Sequence, residues 1–268
     1  MKRTWALGSC LCISIAVGVV GAGSAGALPP EVGRCVAKAG GKYSSATCTT
    51  TAGKGSFEFE KNPVKKGFKG EGGEDKILFA SGDEIKCTQS SLTGEYHSTS
   101  ATTEVRSVRE IYRGCELPLF KTTCQTKGAA AGEVIGKLLD GKLYYTSGKG
   151  TKTPVVNLGL TPEVKKKGFA EFECPAIGVV VYFGEGKEKG HETVLASLGP
   201  VNTMATAYTQ VYAAGGKAGE QWPNFIEGKP TVIDNMESSL AGPKGIYERV
   251  SQVLENVITN EEELEIKA

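Results

Sequence analysis

Residues 170–183 carry the pattern that indicates the fold class: Ala170-Glu-Phe-Glu-Cys174, then Pro-Ala, then Ile177-Gly-Val-Val-Val-Tyr-Phe183. In the first run, apolar and charged side chains alternate, which is typical of a strand with one buried face. The second run is rich in β-branched and aromatic residues, which suit a strand covered on both faces. The segment therefore predicts two consecutive strands.

Strand signals recur along the rest of the chain. Ser56-Phe-Glu-Phe-Glu60 and Glu84-Ile-Lys-Cys-Thr88 alternate in the same way. Asp140-Gly141 separates residues 134–139 from residues 142–146, and Asp-Gly is favoured in type I′ turns because both central residues need a positive φ. We therefore predict a β-hairpin at this pair. Glycine-rich stretches between strand-length segments favour an antiparallel sandwich or barrel.

The C-terminal region fits two different structures. Leu264-Glu-Ile-Lys alternates like a strand, whereas the preceding apolar residues have helical spacing. Those residues are Ile246, Val250, Val253, Leu254 and Val257. A short helix followed by a strand and an unbroken hairpin both satisfy the pattern. The predicted fold is therefore mainly β, an antiparallel sandwich or barrel, with one short C-terminal helix over residues 246–258 as the alternative.

The first 27 residues have the order of a secretory signal peptide. Lys2 and Arg3 form a basic start, residues 11–20 form an apolar core, and Ala25-Gly26-Ala27 is a small-residue cleavage site. A membrane anchor is the alternative, but it needs about 20 apolar residues. This stretch reaches that length only through its glycine- and serine-rich end. We expect export, with residues 28–268 forming a single disulfide-bridged all-β domain that has no membrane span.

Six cysteines follow the signal peptide, and their number is even. They are Cys35, Cys48, Cys87, Cys115, Cys124 and Cys174. An even count in an exported chain indicates disulfides, and no two of these cysteines have the short spacing of zinc ligands. We predict Cys35–Cys48 and Cys115–Cys124, because the intervening segments are short enough to close locally. We predict Cys87–Cys174 because both residues lie on apolar sides of alternating strands.

Charge and motifs exclude several classes of function. The 268 residues contain 31 Lys+Arg and 30 Asp+Glu, so the chain has no overall field for nucleic acid or an anionic membrane. The sequence has two histidines, no phosphate-binding loop and no nucleophile elbow, so we expect neither a metal nor another cofactor. His191-Glu192-Thr-Val-Leu195 begins like a zinc-protease motif, but Leu195 stands where the second histidine ligand belongs. His97 is expected at the surface near a hairpin turn.

Carboxylates and aromatic residues remain as candidates for a site. A glycosidase needs only two correctly placed carboxylates. The alternating pattern, however, predicts solvated outer faces for the most regular glutamates, which are Glu58, Glu60, Glu171 and Glu173. Three aromatics are candidate surface residues for stacking on sugars: Tyr144, Tyr145 and Trp222. Adjacent residues of a strand point to opposite faces, so Tyr144 or Tyr145 should point outward unless both faces are covered. For Trp222 we favour burial in the core.

Landmarks along residues 30–268 carry a family resemblance. They are Pro30-Glu-Val-Gly-Arg-Cys35, Gly41-Lys-Tyr43, Cys48-Thr, Gly94-Glu-Tyr96, Gly114-Cys115, Cys124-Gln-Thr-Lys-Gly-Ala-Ala-Ala-Gly-Glu133, Phe172-Glu-Cys174, Val201-Asn-Thr-Met204 and Asn260-Glu-Glu-Glu-Leu-Glu-Ile-Lys-Ala268. With these the chain resembles a family of uncharacterised secreted, cysteine-containing proteins of soil actinobacteria. Phe59 stands where that family is expected to have a tryptophan. The resemblance implies export, disulfides and an all-β fold, but no chemistry.

Together these features favour a secreted, non-catalytic protein that is extracellular or associated with the cell envelope. Its role would be binding or structural, and a glycan or protein of the envelope would be the partner. A secreted carboxylate-dependent hydrolase of the glycosidase type is the alternative. Buried carboxylates clustered in a cleft would favour the hydrolase, and exposed aromatics on a smooth surface would favour the binding protein.

The signal-peptide pattern predicts that the exported protein begins at Leu28. Signal peptidase cleaves after a small residue that follows the apolar core, and Ala27 meets that requirement. N-terminal sequencing of protein secreted by an exporting host should give Leu-Pro-Pro-Glu. Recovery of chains that begin at Met1 in the membrane fraction would contradict the prediction.

Overall fold

The computed structural model describes residues 28–61, 66–98, 103–164, 167–184, 193–228, 236–240 and 246–268. The predicted signal peptide lies outside the described residues, as do His191 and Glu192. The mainly β, antiparallel fold predicted from the sequence is confirmed. Within the described ranges the helices are two single 3₁₀ turns, Pro118–Phe120 and Pro175–Ile177. No helix in this part of the chain is long and apolar enough to span a membrane.

The described residues form nineteen strands, numbered here in chain order. They are β1 (Glu31–Tyr43), β2 (Thr51–Lys61), β3 (Gly67–Gly72), β4 (Asp75–Phe79), β5 (Glu84–Cys87), β6 (Gln89–Ser98), β7 (Thr103–Arg113), β8 (Glu116–Leu117), β9 (Thr122–Thr123), β10 (Val134–Ile135), β11 (Leu139–Ser147), β12 (Val155–Pro162), β13 (Ala170–Cys174), β14 (Val179–Phe183), β15 (Val194–Gly199), β16 (Met204–Ala214), β17 (Gln221–Trp222), β18 (Glu237–Leu240) and β19 (Ile246–Lys267).

Eight of these strands close into an antiparallel barrel, called the main barrel below. The order is β3, β6, β7, β11, β12, β15, β16 and β19, and β19 pairs back to β3. Alternate residues of each strand point into the barrel, where apolar side chains fill the space. The residues around its centre include Phe68, Tyr96, Leu143, Leu158, Tyr208 and Ile258, and they leave a cavity of only about 20 Å³. The barrel interior is therefore a packed core.

A second, smaller circuit of strands, called the small ring, adjoins the main barrel. It runs from β19 through β4, β5, β8 and β9, and returns through β13, β14 and β18 to β19. The link between β9 and β13 is an isolated antiparallel bridge between Gln125 and Glu173. Because the two circuits share β19, neither is closed without that strand.

Neither the C-terminal helix nor the unbroken hairpin considered from the sequence is formed. Residues 246–267 are one continuous strand of 22 residues. From Leu254 to Asn260 buried and exposed residues alternate strictly, but two of the buried positions, Asn256 and Asn260, are polar. These asparagines interrupt the apolar alternation, so the remaining apolar residues acquire a misleading helical spacing.

The β-hairpin predicted at Asp140-Gly141 is also wrong, because both residues lie inside the continuous strand β11. Opposite them β7 has one extra residue, a β-bulge, because the pairing moves from Leu139–Val108 to Gly141–Val105. A Cβ atom on Gly141 would lie 2.7 Å from a side-chain atom of Val105 and 2.8 Å from one of Leu160. Glycine is therefore needed here for close packing inside the barrel.

One of the three predicted disulfides is confirmed and two are wrong. Cys35 and Cys48 are bonded, but Cys87 pairs with Cys115, and Cys124 pairs with Cys174. Cys115 and Cys124 do face each other across the β8–β9 hairpin, as their short spacing indicates. Each is nevertheless bonded to the strand on its other side, because the tertiary fold places β5 and β13 there.

Glu265 is a buried carboxyl group on β19. Its side chain is fully buried, and neither carboxyl oxygen has a hydrogen-bond partner among the described residues. Burial raises the pKa of Glu265 to about 7, although the nearby Lys267 acts in the opposite direction. The folded protein therefore binds this proton more tightly than the unfolded chain does, and Glu265 is only partly ionised at neutral pH.

We expect Glu265→Gln to stabilise the protein relative to wild type more at pH 8 than at pH 5. The proton-binding contribution of Glu265 is fully present below the unfolded pKa near 4.5 and is lost as the pH rises through about 7. Glutamine is neutral at every pH. The difference in Tm between variant and wild type should therefore grow by about 5 °C between the two pH values.

Glu263→Gln is the matched control, since Glu263 lies on the same strand and is exposed. Thermal unfolding followed by circular dichroism under non-oxidising, thiol-free conditions measures all three proteins. A Tm difference for Glu265→Gln that is the same at both pH values would contradict the assignment.

Candidate functional site at the barrel mouth

The three aromatic residues proposed from the sequence take different positions. Trp222 is 51% exposed, so the favoured expectation of core burial is wrong. Its neighbour Gln221 is fully buried against β16 and β19, and the alternation of the strand directs Trp222 outward, where its ring meets that of Phe225 at 5.6 Å. Tyr144 is half-buried, and Tyr145 is buried and lines a groove. The structure does not bring the three together.

The groove lined by Tyr145 lies where the β1–β2 hairpin and the end of β19 meet the end of β11. We call it the mouth groove. Its volume is about 330 Å³, which lies within the usual size range of small-ligand sites. Aromatic rings and charged side chains line it together: Tyr43, Phe59, Tyr145, Glu31, Lys42, Glu58, Lys61 and Lys267.

The β1–β2 hairpin supplies most of the groove and extends beyond the main barrel. Its register places Cys35 opposite Phe59, and the Cys35–Cys48 disulfide ties β1 to the turn that follows it. A Cβ atom on Gly33 would lie 2.8 Å from the Phe59 ring and 2.3 Å from the carbonyl oxygen of Glu60. Glycine at this position therefore allows the Phe59 ring to lie directly against β1.

Lys267 binds the aromatic side of the groove. Its Nζ atom lies 4.2 Å from the ring centroid of Tyr43 and 5.1 Å from that of Phe59, which are cation–π distances. The same ammonium donates a hydrogen bond to the carbonyl oxygen of Cys48. Burial lowers the pKa of Lys267, partly offset by Glu265, and Lys42 lowers it further. The contacts join the end of β19 to the hairpin.

The other charged groups of the groove are unevenly paired. Lys61 forms an ion pair with Glu31, and the Glu58 carboxylate accepts a hydrogen bond from the backbone N–H of Lys42 at 3.2 Å. The Nζ atom of Lys42 lies 5.6 Å from the Tyr43 ring, the same ring that Lys267 contacts. The described residues place no carboxylate within ion-pair distance of Lys42 or Lys267. Two ammonium groups thus lie near the same aromatic ring.

Sequence reasoning did not identify Tyr43, Phe59 or Lys267 as site residues. Alternation over residues 56–60 predicts Phe59 inward and Glu58 solvated, yet both line the groove, because this hairpin lies against the barrel mouth and not over its core. Tyr43 and Lys267 come from opposite ends of the chain, so no local motif joins them. The landmark segments of the family resemblance contain both residues, and this is the sequence signal that marks them.

The other three regular glutamates have more ordinary positions. Glu60 and Glu171 are exposed, as the alternation predicts, and Glu173 is half-buried. Glu171 lies 3.8 Å from the ammonium of Lys137, and Glu60 lies 3.5 Å from the guanidinium of Arg34. Ion pairs of this exposure contribute little to stability.

A separate polar cluster, called the interior network, lies inside the main barrel beside the small ring. The hydroxyl groups of Tyr112 and Tyr212 both donate to the carboxyl group of Glu110. Two further hydrogen bonds reach the hydroxyl groups of these tyrosines. Gln252 donates to the Tyr112 hydroxyl at 3.1 Å, and Gln210 donates to the Tyr212 hydroxyl at 3.1 Å. Buried polar groups on three different strands, β7, β16 and β19, are thereby satisfied.

Two carboxyl groups of this region are fully enclosed by protein. Burial raises the pKa of Glu110, and burial together with the nearby Glu110 raises the pKa of Asp75 well above its ordinary range. The cavity beside Glu110 has a volume of about 10 Å³, which is roughly the space of one water molecule. A sugar ring does not fit there, so the interior network organises the contact between the barrel and the small ring.

Metal-ligating and histidine chemistry has little support in the described ranges. No three His, Cys, Asp or Glu side chains of the described residues converge as metal ligands would. His97 is half-buried at the end of β6, opposite Glu104 on β7. The hairpin turn expected next to His97 falls on residues outside the described ranges.

The fold and the groove define a disulfide-bridged, antiparallel β-barrel protein with an aromatic and lysine-rich groove at its mouth. No protein-family model, no curated protein and no solved structure matches the chain. The function must therefore be argued from the geometry of the groove.

We expect Lys267→Met to lower the free energy of unfolding by about 1–2 kcal/mol, because it removes two cation–π contacts and one hydrogen bond while keeping the apolar stem. Lys54→Met is the control, since Lys54 is exposed on the same hairpin and does not line the groove. Guanidinium titration without reductant measures both variants. Equal effects of the two substitutions would contradict the role of Lys267.

Proposed function

We propose that this is an extracellular binding protein that holds an anionic glycan of the cell envelope in the mouth groove. The export signal, the three disulfides and the resemblance to secreted proteins of soil actinobacteria support the extracellular part of the proposal. The composition of the groove supports the binding part, and the position of both Lys42 and Lys267 beside the Tyr43 ring is the observation that carries it.

The aromatic residues suit a sugar ring. Tyrosine and phenylalanine offer a flat apolar face for the C–H groups of a sugar, and the tyrosine hydroxyl offers a polar edge for its hydroxyl groups. Tyr43, Phe59 and Tyr145 supply these surfaces from three different strands. Charged side chains at the rim give the few oriented polar contacts that fix a ligand in a largely preformed site.

The lysines favour an anionic sugar. Lys42 and Lys267 both lie beside the Tyr43 ring, and the charge of Lys42 lowers the pKa of Lys267; neither has a carboxylate of the described residues at ion-pair distance. A carboxylate or phosphate group of a ligand in the groove that both lysines line would add an attraction to each of them. Lys42 is exposed and has no other role in the described contacts than its place beside Tyr43 and Glu58, so it is free to bind the ligand.

The hydrolase alternative has no comparable support. A glycosidase acid needs a raised pKa in a cleft that admits the sugar. Asp75, Glu110 and Glu265 are the carboxyls described here whose pKa is raised, and none of them lines the mouth groove. The geometry therefore supports binding without hydrolysis.

Isothermal titration calorimetry of residues 28–268 with a galacturonic acid tetramer, and with its fully methyl-esterified form, tests the proposal. The two probes have the same sugar rings and differ in charge. We expect the acid to bind more tightly than the ester, and Lys42→Gln to weaken binding of the acid about tenfold, equivalent to about 1.4 kcal/mol. Lys54→Gln on the same hairpin should leave the affinity unchanged.

Equal affinity for the acid and the ester, unaffected by Lys42→Gln, would overturn the anionic part of the proposal and leave a neutral glycan as the ligand class. Binding of neither probe would count against glycan binding at the groove. Appearance of reducing ends during a long incubation, abolished by a Glu→Gln substitution in the groove, would replace the proposal by the hydrolase.

A further inference from the structure

Four of the six cysteines form one row across neighbouring strands of the small ring. Cys87 and Cys115 are directly opposite each other, next to the pair of Lys86 with Glu116, and their Cα atoms are 3.9 Å apart. Cys124 and Cys174 are directly opposite each other beside the bridge of Gln125 with Glu173, with Cα atoms 4.2 Å apart.

The two inner cysteines are neighbours as well. Extending the β8–β9 register by one residue from the pair of Glu116 with Thr123 places Cys115 opposite Cys124. The backbone N–H of Cys124 donates to the carbonyl oxygen of Cys115 at 3.0 Å, which confirms that they are opposite. Directly opposite residues of antiparallel strands have their side chains on the same face. The row therefore runs in the order Cys87, Cys115, Cys124, Cys174. Disulfides join the first two and the last two, and the two inner cysteines are not bonded to each other.

The two disulfides span the two contacts of the small ring that have the least backbone pairing. These contacts, called the seams below, are β5 with β8 and the segment after β9 with β13. A single residue pair joins β5 to β8, and an isolated bridge joins the segment after β9 to β13. The contact of β8 with β9, in contrast, is a hairpin with two further residue pairs. The disulfides therefore hold the two seams closed, and the β8–β9 hairpin keeps its pairing without one.

We propose that this cysteine row is a thiol–disulfide exchange site that takes a dithiol reductant as its substrate and opens the small ring when it reacts. Cys174 lines an apolar pocket of about 100 Å³ next to Leu117 and Phe120. Phe120 is 55% exposed, so this pocket gives a reagent a route toward the Cys124–Cys174 bond. All four cysteines, Cys174 included, are at most 2% exposed, so a reagent reaches the sulfur of Cys174 by entering this pocket.

The exchange is balanced in atoms and electrons. A thiolate of the reductant attacks the sulfur of Cys174, forming a mixed disulfide and releasing the thiolate of Cys124. The Cys124 thiolate attacks the sulfur of Cys115 and releases the thiolate of Cys87, which takes up a proton. The second thiol of the reductant then attacks its own mixed disulfide and frees Cys174. The protein gains two electrons and two thiols, and the reductant leaves as a disulfide.

The product has one disulfide, Cys115–Cys124, and two seams without a covalent bond. The remaining bond closes the shortest loop in the row, so it constrains β8 and β9 but neither β5 nor β13. Loss of the outer bonds exposes the apolar interior of the small ring, including Ile85 and Val181. The main barrel is unaffected, because its eight strands contain none of the four cysteines.

Partial reduction of residues 28–268 with dithiothreitol at about 0.1 mM tests the proposal. This is below the millimolar effective concentration of a neighbouring thiolate, so exchange inside the row should outpace a second attack by the reagent. Iodoacetamide traps free thiols, and tryptic peptides are mapped without reduction. Cleavage after Lys121 separates Cys115 from Cys124, so their crosslink is visible as a pair of peptides.

We expect the major product with two alkylated cysteines of the row to carry Cys115–Cys124, with Cys87 and Cys174 alkylated. Hydrogen exchange in that product should show loss of protection in β13 and β14, and retained protection in β7 and β16. Cys35–Cys48 is the internal control, because neither cysteine has a neighbouring cysteine and its reduction should give only their alkylated forms.

A majority of products that retain Cys87–Cys115 or Cys124–Cys174 would overturn the proposal. The double variant Cys87→Ser/Cys174→Ser gives an independent test. It should form Cys115–Cys124 and keep the protection of the main barrel. Free thiols at both positions in the folded, oxidised variant would show that the two inner cysteines cannot bond, and would also overturn it.

Discussion

Backbone pairing along both edges of β19 is the constraint on which the architecture depends. The strand pairs with β16 on one edge and with β3 and β4 on the other, so it completes the main barrel and begins the small ring. Closure removes exposed sheet edges, which would otherwise be open to pairing with other chains. Its first residues pair with β18, and its last residues pair with β1. A single segment therefore joins the barrel, the small ring and the hairpin of the mouth groove.

The buried polar residues of β19 help to fix the register in which this strand pairs with its several neighbours. Gln252 and Asn256 point inward and join hydrogen-bonded chains that reach Ser90 and Glu110 on other strands. A buried polar group is costly unless it is paired, so these residues favour one register of β19 over a slip that would leave them unpaired. Packing in the middle of the barrel is apolar, and the interior network lies toward the small ring. The interior network therefore fixes the register of β19, and the apolar middle of the barrel supplies the hydrophobic stabilisation.

The mouth groove and the cysteine row lie at opposite ends of this arrangement. Lys267, at the end of β19, lies against the rings of Tyr43 and Phe59, whereas the cysteine row crosses the small ring near the start of the strand. The Cys35–Cys48 bond stabilises the hairpin that builds the groove, and the other two bonds close the small ring. Binding at the groove and exchange in the row therefore involve separate disulfides and separate parts of the sheet.

The sequence by itself determined the all-β class, the bounds of β13, the inward cysteines of β5 and β13, and the local Cys35–Cys48 bond, because each depends on residue alternation or on short-range closure. It did not determine the local structure or the bonding partner of residues whose contacts lie far away in the sequence. Asp140-Gly141 has the composition of a turn but continues β11 opposite a bulge in β7, since Gly141 packs against Val105 and Leu160 from other strands. Asn256 breaks the apolar alternation because its partner is Gln210, and Cys115 bonds to Cys87 because β5 lies beside β8. The groove likewise exists only in the folded protein, since Tyr43 and Lys267 lie far apart in the sequence and come together when β1 pairs with β19.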